Sequence, residues 1–286
     1  MGIGAWFQKT FGKQPCAFCG TEVGMMKRTK IKNKEFICNT CRSGCSRYMD
    51  VYRYTKDELL EHMAYMNRQE KLYNSLDGAT VIIPSSGSRQ AIEFYDQIGM
   101  FRIRDLDLDE RYPKELIRYD QVMGYEAFCL ENEPEEEGKP KTFEECGVKI
   151  SLADAVVDPD MERKGLRPHP YIIRDLEVVV NKHDKRVGML DVDHIIYKFN
   201  QIFGVNDDRK GMFDFGLTTQ QKREAEAMKS VGNMFVAAVQ TAKEGGTCSA
   251  ETVQQAHDAI QKVENAVTSG LAQYTRLADE AESNIQ

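Results

Sequence analysis

Long apolar runs are missing from this chain of 286 residues. No stretch approaches the roughly 18 apolar residues that a membrane-spanning helix needs. The sequence also does not open with a charged start followed by an unbroken apolar stretch, so we expect no secretory signal peptide. Apolar residues make up 41% of the sequence and charged residues 29%. This composition is typical of a globular protein with about two domains.

Recognisable catalytic motifs are missing as well. The sequence contains no GxxxxGK[ST] phosphate loop, no GxSxG nucleophile elbow, no HExxH motif and no GxGxxG dinucleotide motif. There are five histidines, and no catalytic role can be assigned to them from spacing alone. We therefore predict a protein that is not an enzyme. The alternative is an enzyme with a site among titratable residues such as His169, His183 or Asp175.

Cysteine is arranged as two CxxC pairs. Cys16 and Cys19 form the first pair, and Cys38 and Cys41 form the second after eighteen further residues. A CxxC pair at a turn directs both thiolates at one metal, and two pairs complete a tetrahedral Cys₄ shell. A catalytic zinc site usually has a histidine or a carboxylate among its ligands. No histidine lies between the two pairs. We predict a structural Zn²⁺ site in a zinc ribbon, with Cys45 as an alternative ligand.

The remaining cysteines indicate a compartment. Cys129, Cys146 and Cys248 are scattered singly along the chain, which does not favour a disulfide framework. Together with paired thiols suited to a metal, this spacing predicts a reducing cytoplasm.

Charge is distributed unevenly. The net charge is −7, yet residues 1–56 carry eleven basic and three acidic residues. Such a basic end is typical of a protein that meets a polyanion or clamps onto its own acidic remainder. Nucleic acid is one candidate partner, although the ribbon has little aromatic interleaving beyond Phe18 and Phe36 for stacking on bases. The candidate polyanion contacts are Lys27, Arg28, Lys30, Lys32 and Lys34.

The N-terminal residues predict an amphipathic helix. Its apolar stripe contains Ile3, Trp6, Phe7 and Phe11, flanked by lysines. Such a helix lies in a membrane interface or docks on its own protein. The first alternative places the protein peripherally at the inner face of the membrane.

The middle of the chain changes from a helical to a strand-like period. Thr55 and Glu58 form a capping box that starts a helix ending near Leu76. Seven short β-rich runs follow, at Thr80–Ile83, Ala91–Tyr95, Met100–Arg104, Leu116–Tyr119, Val122–Leu130, Val148–Leu152 and Leu176–Val180. We predict an acidic loop over Glu131–Glu145 and a helix over Val192–Phe203.

Two acidic groups in this region have structural explanations. Asp105–Glu110 alternates acids as a calcium loop does, but it lacks the required glycine and final glutamate, so we predict a polar turn after a strand. Asp191, Asp193 and His194 lie close together, and we interpret them as the first turn of a helix that favours acids.

The last part of the sequence predicts two helices separated by a Gly245–Gly246 break. The apolar positions of the second helix step by three and four residues, as they do in coiled coils. We expect an αα-hairpin, and the alternative is homo-oligomerisation through these helices.

The N-terminal third resembles a known family. The segments Met1–Phe7 and Phe11–Lys13, the two CxxC pairs and the helix capped by Thr55 are similar to those of a bacterial family of uncharacterised zinc-ribbon proteins. Many members continue into a pleckstrin-homology-like β domain, and Leu116–Glu126 and Leu176–Val180 resemble its strands. The resemblance implies a zinc ribbon followed by such a domain, and it implies no reaction and no substrate.

These observations predict an α+β protein that acts as a non-enzymatic adaptor for protein or membrane surfaces in the bacterial cytoplasm. The predicted units are an N-terminal helix (1–14), a zinc ribbon (15–50), a connecting helix (51–78), a pleckstrin-homology-like β domain (79–205) and a C-terminal helical hairpin (206–286).

Overall fold

The computed structural model describes residues 12–84, 88–132, 141–154, 161, 165–173, 175–204 and 271–285. Within these ranges the chain is a mixed α+β protein with antiparallel sheets. The predicted N-terminal helix and most of the predicted C-terminal hairpin lie outside the described residues. No helix in the described ranges combines the length and apolarity that crossing a membrane requires.

Two short hairpins form the cysteine-rich segment. Strands β1 (Gln14–Pro15) and β2 (Glu22–Val23) form the first, and strands β3 (Arg28–Lys30) and β4 (Phe36–Cys38) form the second. A helical turn, α1 (Asn39–Arg42), follows directly. Ile31 and Ile37 of this segment are buried in the same apolar core as the larger sheets. The segment therefore packs on the rest of the described chain.

Helix α2 (Lys56–Asn74) begins where the capping box predicts. The Thr55 backbone N–H donates to Glu58 Oε2 at 2.6 Å, and the Glu58 N–H donates to Thr55 Oγ1 at 3.4 Å. Two polar residues lie on the buried face of α2 beside three apolar ones. Its buried residues are Leu59, His62, Met66, Gln69 and Leu72.

The seven predicted strands are all present, in two antiparallel sheets. The four-stranded sheet has the order β5 (Val81–Ile83), β6 (Gln90–Tyr95), β7 (Met100–Asp105) and β8 (Ile117–Arg118). The three-stranded sheet has the order β11 (Asp175–Asn181), β10 (Thr142–Leu152) and β9 (Val122–Asn132). The sheets meet where Ser88 Oγ donates to the Val180 carbonyl at 2.6 Å and the Val179 N–H donates to Gln90 Oε1 at 2.8 Å.

The predicted acidic loop is shorter than expected. Glu131 and Asn132 belong to β9, and Thr142 to Glu145 belong to β10, so the ladder continues to the pair Asn132 and Thr142. Two of the acids are neutralised on the strands, because Glu131 pairs with Lys185 and Glu145 pairs with Lys182. The prediction of a loop over the whole of Glu131–Glu145 was wrong for this reason.

Helix α3 (Lys185–Ile202) begins earlier than the predicted Val192. Asp184 caps it by accepting hydrogen bonds from the backbone N–H groups of Arg186 and Val187 at 2.9 and 3.1 Å. Asp191 and Asp193 consequently lie inside the helix, and their interpretation as first-turn acids was wrong. The buried side of α3 covers the sheets, with Phe199 against the rings of Phe94 and Tyr125.

A last helix, α4 (271–283), docks on the turn between β6 and β7. Its buried residues Leu271 and Ala278 contribute to the apolar core. Arg118 holds the helix by donating to Asp279 Oδ1 at 2.9 Å and to Glu282 Oε2 at 2.8 Å. Arg167 forms a bidentate ion pair with the Asp279 carboxylate.

Gly99 permits this close docking. Its φ is +61°, and a Cβ at this position would lie 2.3 Å from the backbone oxygen of Tyr274. We predict that Gly99→Ala lowers the free energy of unfolding by roughly 2–3 kcal/mol. We also expect amide exchange over residues 271–283 to become faster, which exchange mass spectrometry measures. Gly20→Ala is the control, since Gly20 has φ +73° but no atom within 4 Å. Equal protection of the α4 amides from exchange in both variants would contradict the conclusion that Gly99 permits the close docking of α4.

Candidate functional site

The four paired cysteines meet at one point. Cys16 and Cys19 lie between β1 and β2, whereas Cys38 ends β4 and Cys41 lies in α1. All four sulphur atoms lie within 4.8 Å of one another, and Cys19 Sγ is 3.8 Å from Cys38 Sγ. A tetrahedral shell with metal–sulphur distances of about 2.3 Å has edges of about 3.8 Å. The arrangement therefore fits one tetrahedrally coordinated metal ion.

Backbone amides orient the thiols. The Cys38 N–H donates to Cys16 Sγ at 3.3 Å, and the Cys41 N–H donates to Cys38 Sγ at 3.4 Å. Thr21 Oγ1 lies 3.3 Å from Cys19 Sγ. Hydrogen bonds of this kind fix the direction of a ligand and stabilise its charged form.

The thiols compete for ionisation when no cation is bound. The Thr21 side chain and backbone lower the pKa of Cys19 to about 6. Burial opposes ionisation of Cys16, but backbone N–H groups outweigh it and lower the pKa. Burial raises the pKa of Cys41, and the neighbouring thiols raise it further. A divalent cation removes this conflict, because metal ligation deprotonates all of its thiols.

Cys45, the predicted alternative ligand, is not one of the clustered cysteines. Cys45 is fully buried in the apolar core, and burial raises its pKa to about 11. Elsewhere in the described ranges, no three or more histidine, cysteine or acidic side chains gather at metal-binding distances. The polar turn after β7 is confirmed: Asp105 lies near Arg47 and Arg89, and Asp109 pairs with Arg102.

The predicted polyanion contacts separate into two groups. Arg28 is engaged internally, since its Nη1 donates to the carbonyls of Gly12 and Val23 and its guanidinium lies 4.6 Å from the ring centre of Phe36. The four lysines are exposed, and Met26, directly before Lys27 in the chain, is 86% exposed. We call this exposed set the basic hairpin surface: Met25, Met26, Lys27, Lys30, Lys32 and Lys34. The predicted docking stripe of Ile3, Trp6, Phe7 and Phe11 lies outside the described residues.

A buried polar cluster joins the cysteine-rich segment to the sheets. Ser46 follows the four-cysteine cluster in the chain, and Glu115 and Tyr171 come from the sheet region. Their oxygens form a closed ring: Ser46 Oγ to Glu115 Oε2 at 2.6 Å, Tyr171 Oη to Glu115 Oε1 at 2.5 Å, and Tyr171 Oη to Ser46 Oγ at 2.6 Å. Three such contacts require three protons, whereas the two hydroxyls supply two. An un-ionised Glu115 supplies the third, and burial raises its pKa to about 7.

Two buried histidines border the ring. His62 Nε2 accepts a hydrogen bond from the Ser46 N–H at 3.0 Å, and burial lowers its pKa to about 4. His169 Nδ1 lies 3.0 Å from the Tyr171 carbonyl, so Nδ1 carries the proton and Nε2 is left as an acceptor. That Nε2 has no hydrogen-bond partner and lies 3.7 Å from Glu115 Oε1. Burial lowers the pKa of His169 to about 4 as well.

The residues suggested for an enzymatic site are not gathered around His169. Asp175 is exposed on β11, where it pairs with Lys149 at 3.0 Å, and His183 is exposed just before α3. A shallow pocket does reach Glu115, and its walls include Arg47, Arg102 and Lys114. Arg102 is already paired with Glu93 and Asp109. No spacing in the sequence indicated the ring, because Ser46 and Tyr171 are far apart along the chain.

Comparisons with known proteins were informative only for the cysteine-rich segment. A family model described as "Domain of unknown function (DUF4428)" matches residues 14–62. The match contains all four clustered cysteines and the first turns of α2, and it agrees there with the family resemblance of the N-terminal third. No curated protein and no solved structure matches the chain.

Glu115 makes stability depend on pH. Its folded-state pKa of about 7 lies above the usual value of 4.5, so its contribution is complete below about pH 4.5 and is lost as the pH rises to about 7. Glu115→Gln keeps a donor and an acceptor without titrating. We predict that the stability of the variant, relative to the wild type, rises by about 2–3 kcal/mol between pH 5 and pH 8. Urea unfolding at each pH measures this difference.

Taking the difference between the stabilities of the variant and the wild type removes the effect of His62 and His169, which is opposite in sign. Their low folded-state pKa values make the protein lose stability as the pH falls from about 6.5 towards 4 in both proteins alike. A difference that stays constant from pH 5 to pH 8 would contradict a protonated Glu115.

Proposed function

We propose that the protein is a non-enzymatic zinc-binding adaptor that binds an anionic membrane surface in the bacterial cytoplasm. The observation that carries the proposal is the exposed basic hairpin surface, which lies between the two clustered cysteine pairs in the sequence. The general role, an adaptor for protein or membrane surfaces, is the role that the sequence analysis predicts. The choice of a membrane follows from the composition of this surface.

Zinc is the proposed metal because four thiolates in a closed tetrahedral shell suit it. Such a site stabilises a fold and leaves no open position for a substrate. When bound, zinc supplies the positive charge that lets all four thiols ionise. The two hairpins are too short to hold their shape through their own apolar contacts, so the metal supplies the missing stability.

The basic hairpin surface has the composition of a membrane contact. Lys27, Lys30 and Lys34 form no salt bridge with any described residue, so their charge is available to phosphate headgroups. Met25 and Met26 are 45% and 86% exposed, and apolar side chains beside lysines enter the headgroup region of anionic bilayers. The N-terminal stripe around Trp6 is proposed as a second membrane contact.

Nucleic acid is the weaker alternative. The ring of Phe36 is already covered by Arg28, and Phe18 packs against the core. Few rings of the cysteine-rich segment are therefore left for base stacking, which binding of single strands uses. Phosphate contacts alone would give a strongly salt-dependent, non-specific affinity.

A pleckstrin-homology-like β domain is part of the proposal. Support comes from the four-stranded and three-stranded antiparallel sheets followed by α3, which covers them. An enzyme remains the second alternative, with the pocket beside Glu115 as its location. Against it, the carboxyl oxygens of Glu115 are engaged by Ser46 and Tyr171, and the cation of Arg102 is already neutralised.

Zinc content tests the metal site. We predict one zinc per purified chain. Cys38→Ser should lower the zinc affinity by about 100-fold or more, because it removes a ligand. Cys45→Ala is the matched control and should retain the metal. Elemental analysis with competitive chelation measures both, and zinc loss from the Cys45 variant would contradict the ligand assignment. Chelation should also speed amide exchange over residues 16–47 more than in β6, β7 and β10.

Flotation with liposomes tests the membrane partner. We predict binding to anionic but not to neutral vesicles, lost in Lys30→Glu/Lys34→Glu and weakened in Met26→Glu. The control Lys56→Glu/Lys71→Glu changes the net charge equally on α2 and should still bind. Trp6→Glu tests the N-terminal stripe separately.

The alternatives give different outcomes in the same assay. No flotation of the wild type, or equal loss in the control, would contradict membrane binding by this surface. Retention of RNA that falls steeply with salt would then favour the nucleic-acid alternative.

A further inference from the structure

Two cysteines outside the metal cluster face each other across the three-stranded sheet. In the antiparallel ladder of β9 and β10, Cys129 lies directly opposite Cys146. The pairs Ala127–Val148 and Tyr125–Ile150 follow on the same face. Cα atoms of directly opposite residues are about 4.5–5.5 Å apart, which is inside the range of about 4.4–6.8 Å found for disulfides. Both cysteines are free thiols.

The two thiols differ in exposure. Cys146 is fully buried, and a Cβ at Gly188 would lie 2.4 Å from its Sγ, so the first turns of α3 cover it. Cys129 is half-buried on β9, which is an edge strand of its sheet. Burial raises the pKa of Cys129, and the nearby Lys185 ammonium opposes this rise. A reagent from solution therefore reaches Cys129 before Cys146.

We propose that Cys129 and Cys146 are a redox-active dithiol that a small-molecule disulfide, such as oxidised glutathione, converts into a reversible cross-strand disulfide. Cys129 thiolate attacks one glutathione sulphur, forms a mixed disulfide and releases one glutathione thiolate. Cys146 then loses its proton and attacks the Cys129 sulphur, which expels the second glutathione thiolate. Two protein thiols are oxidised, and one disulfide is reduced to two thiols.

The surroundings determine how fast this exchange runs. Burial raises the pKa of Cys146 to about 11, and a backbone hydrogen bond from Asn181 opposes this rise. Because the thiolate is the attacking species, the exchange is slow at neutral pH and becomes faster as the pH rises. The ladder favours the product, since it already holds the two cysteines opposite each other. The pair accordingly responds to a sustained change in the thiol–disulfide balance.

Glutathione redox buffers at pH 8 test the proposal on the full, zinc-loaded chain. After acid quenching and trypsin digestion, we expect a linked pair of peptides covering residues 119–141 and 142–149. Cys129→Ser and Cys146→Ser each abolish this link, whereas the control Cys248→Ser retains it. In Cys146→Ser, glutathione accumulates on Cys129, but in Cys129→Ser the buried Cys146 stays unmodified.

The same titration in urea supplies the reference. Native geometry should raise the equilibrium ratio of linked to reduced peptides at least about tenfold over the unfolded chain, because the ladder increases the effective concentration of one thiol at the other. A native ratio equal to or below that in urea would overturn the proposal. So would a link that joins Cys129 or Cys146 only to other cysteines.

Discussion

A carboxyl group buried between the cysteine-rich segment and the sheets is the constraint on which the arrangement depends. An isolated carboxylate in a protein interior costs several kcal/mol. Burial raises the pKa of Glu115 to about 7, so below that pH the group avoids this cost by holding its proton, and both of its oxygens lie in the ring with Ser46 and Tyr171. Hydrogen bonds are directional, whereas apolar contacts tolerate sliding. The ring therefore helps to orient the cysteine-rich segment on the sheets, together with the contacts of Arg47 with Ile103 and Asp105.

The four-cysteine cluster and the polar ring act on adjoining parts of one short segment, since Ser46 follows soon after Cys41 in the chain. The cluster fixes the two hairpins, and Ser46 attaches the residues that follow them to Glu115. Ile31 and Ile37 bury the base of the second hairpin in the main core. The basic hairpin surface is thus presented from a support that is tied at several points. A binding surface presented in this way loses little conformational entropy when it meets a partner.

Local features were predictable from the sequence, and distant ones were not. The capping box at Thr55 and the alternation in β7 and β11 act over a few residues, so helix α2 and all seven strands could be predicted. The start of α3 was missed because Lys185–Asp191 lacks a clear apolar period, and the cap Asp184 gave the only signal. The CxxC spacing predicted that the four cysteines meet at one point. The ring was missed since its members lie far apart in sequence, where no periodicity connects them.

The ion pairs between Arg118 and α4 have a consequence for synthesis of the chain. Arg118 and its partner Glu282 are separated by 164 positions, which a ribosome translating 5–20 residues per second needs roughly 10–30 s to cover. Over that interval the apolar face around Met100 and Leu116 is covered by Leu72 of α2 but not yet by α4. Nascent chains of this protein therefore carry a partly uncovered hydrophobic site long enough for chaperones to engage it, until α4 docks.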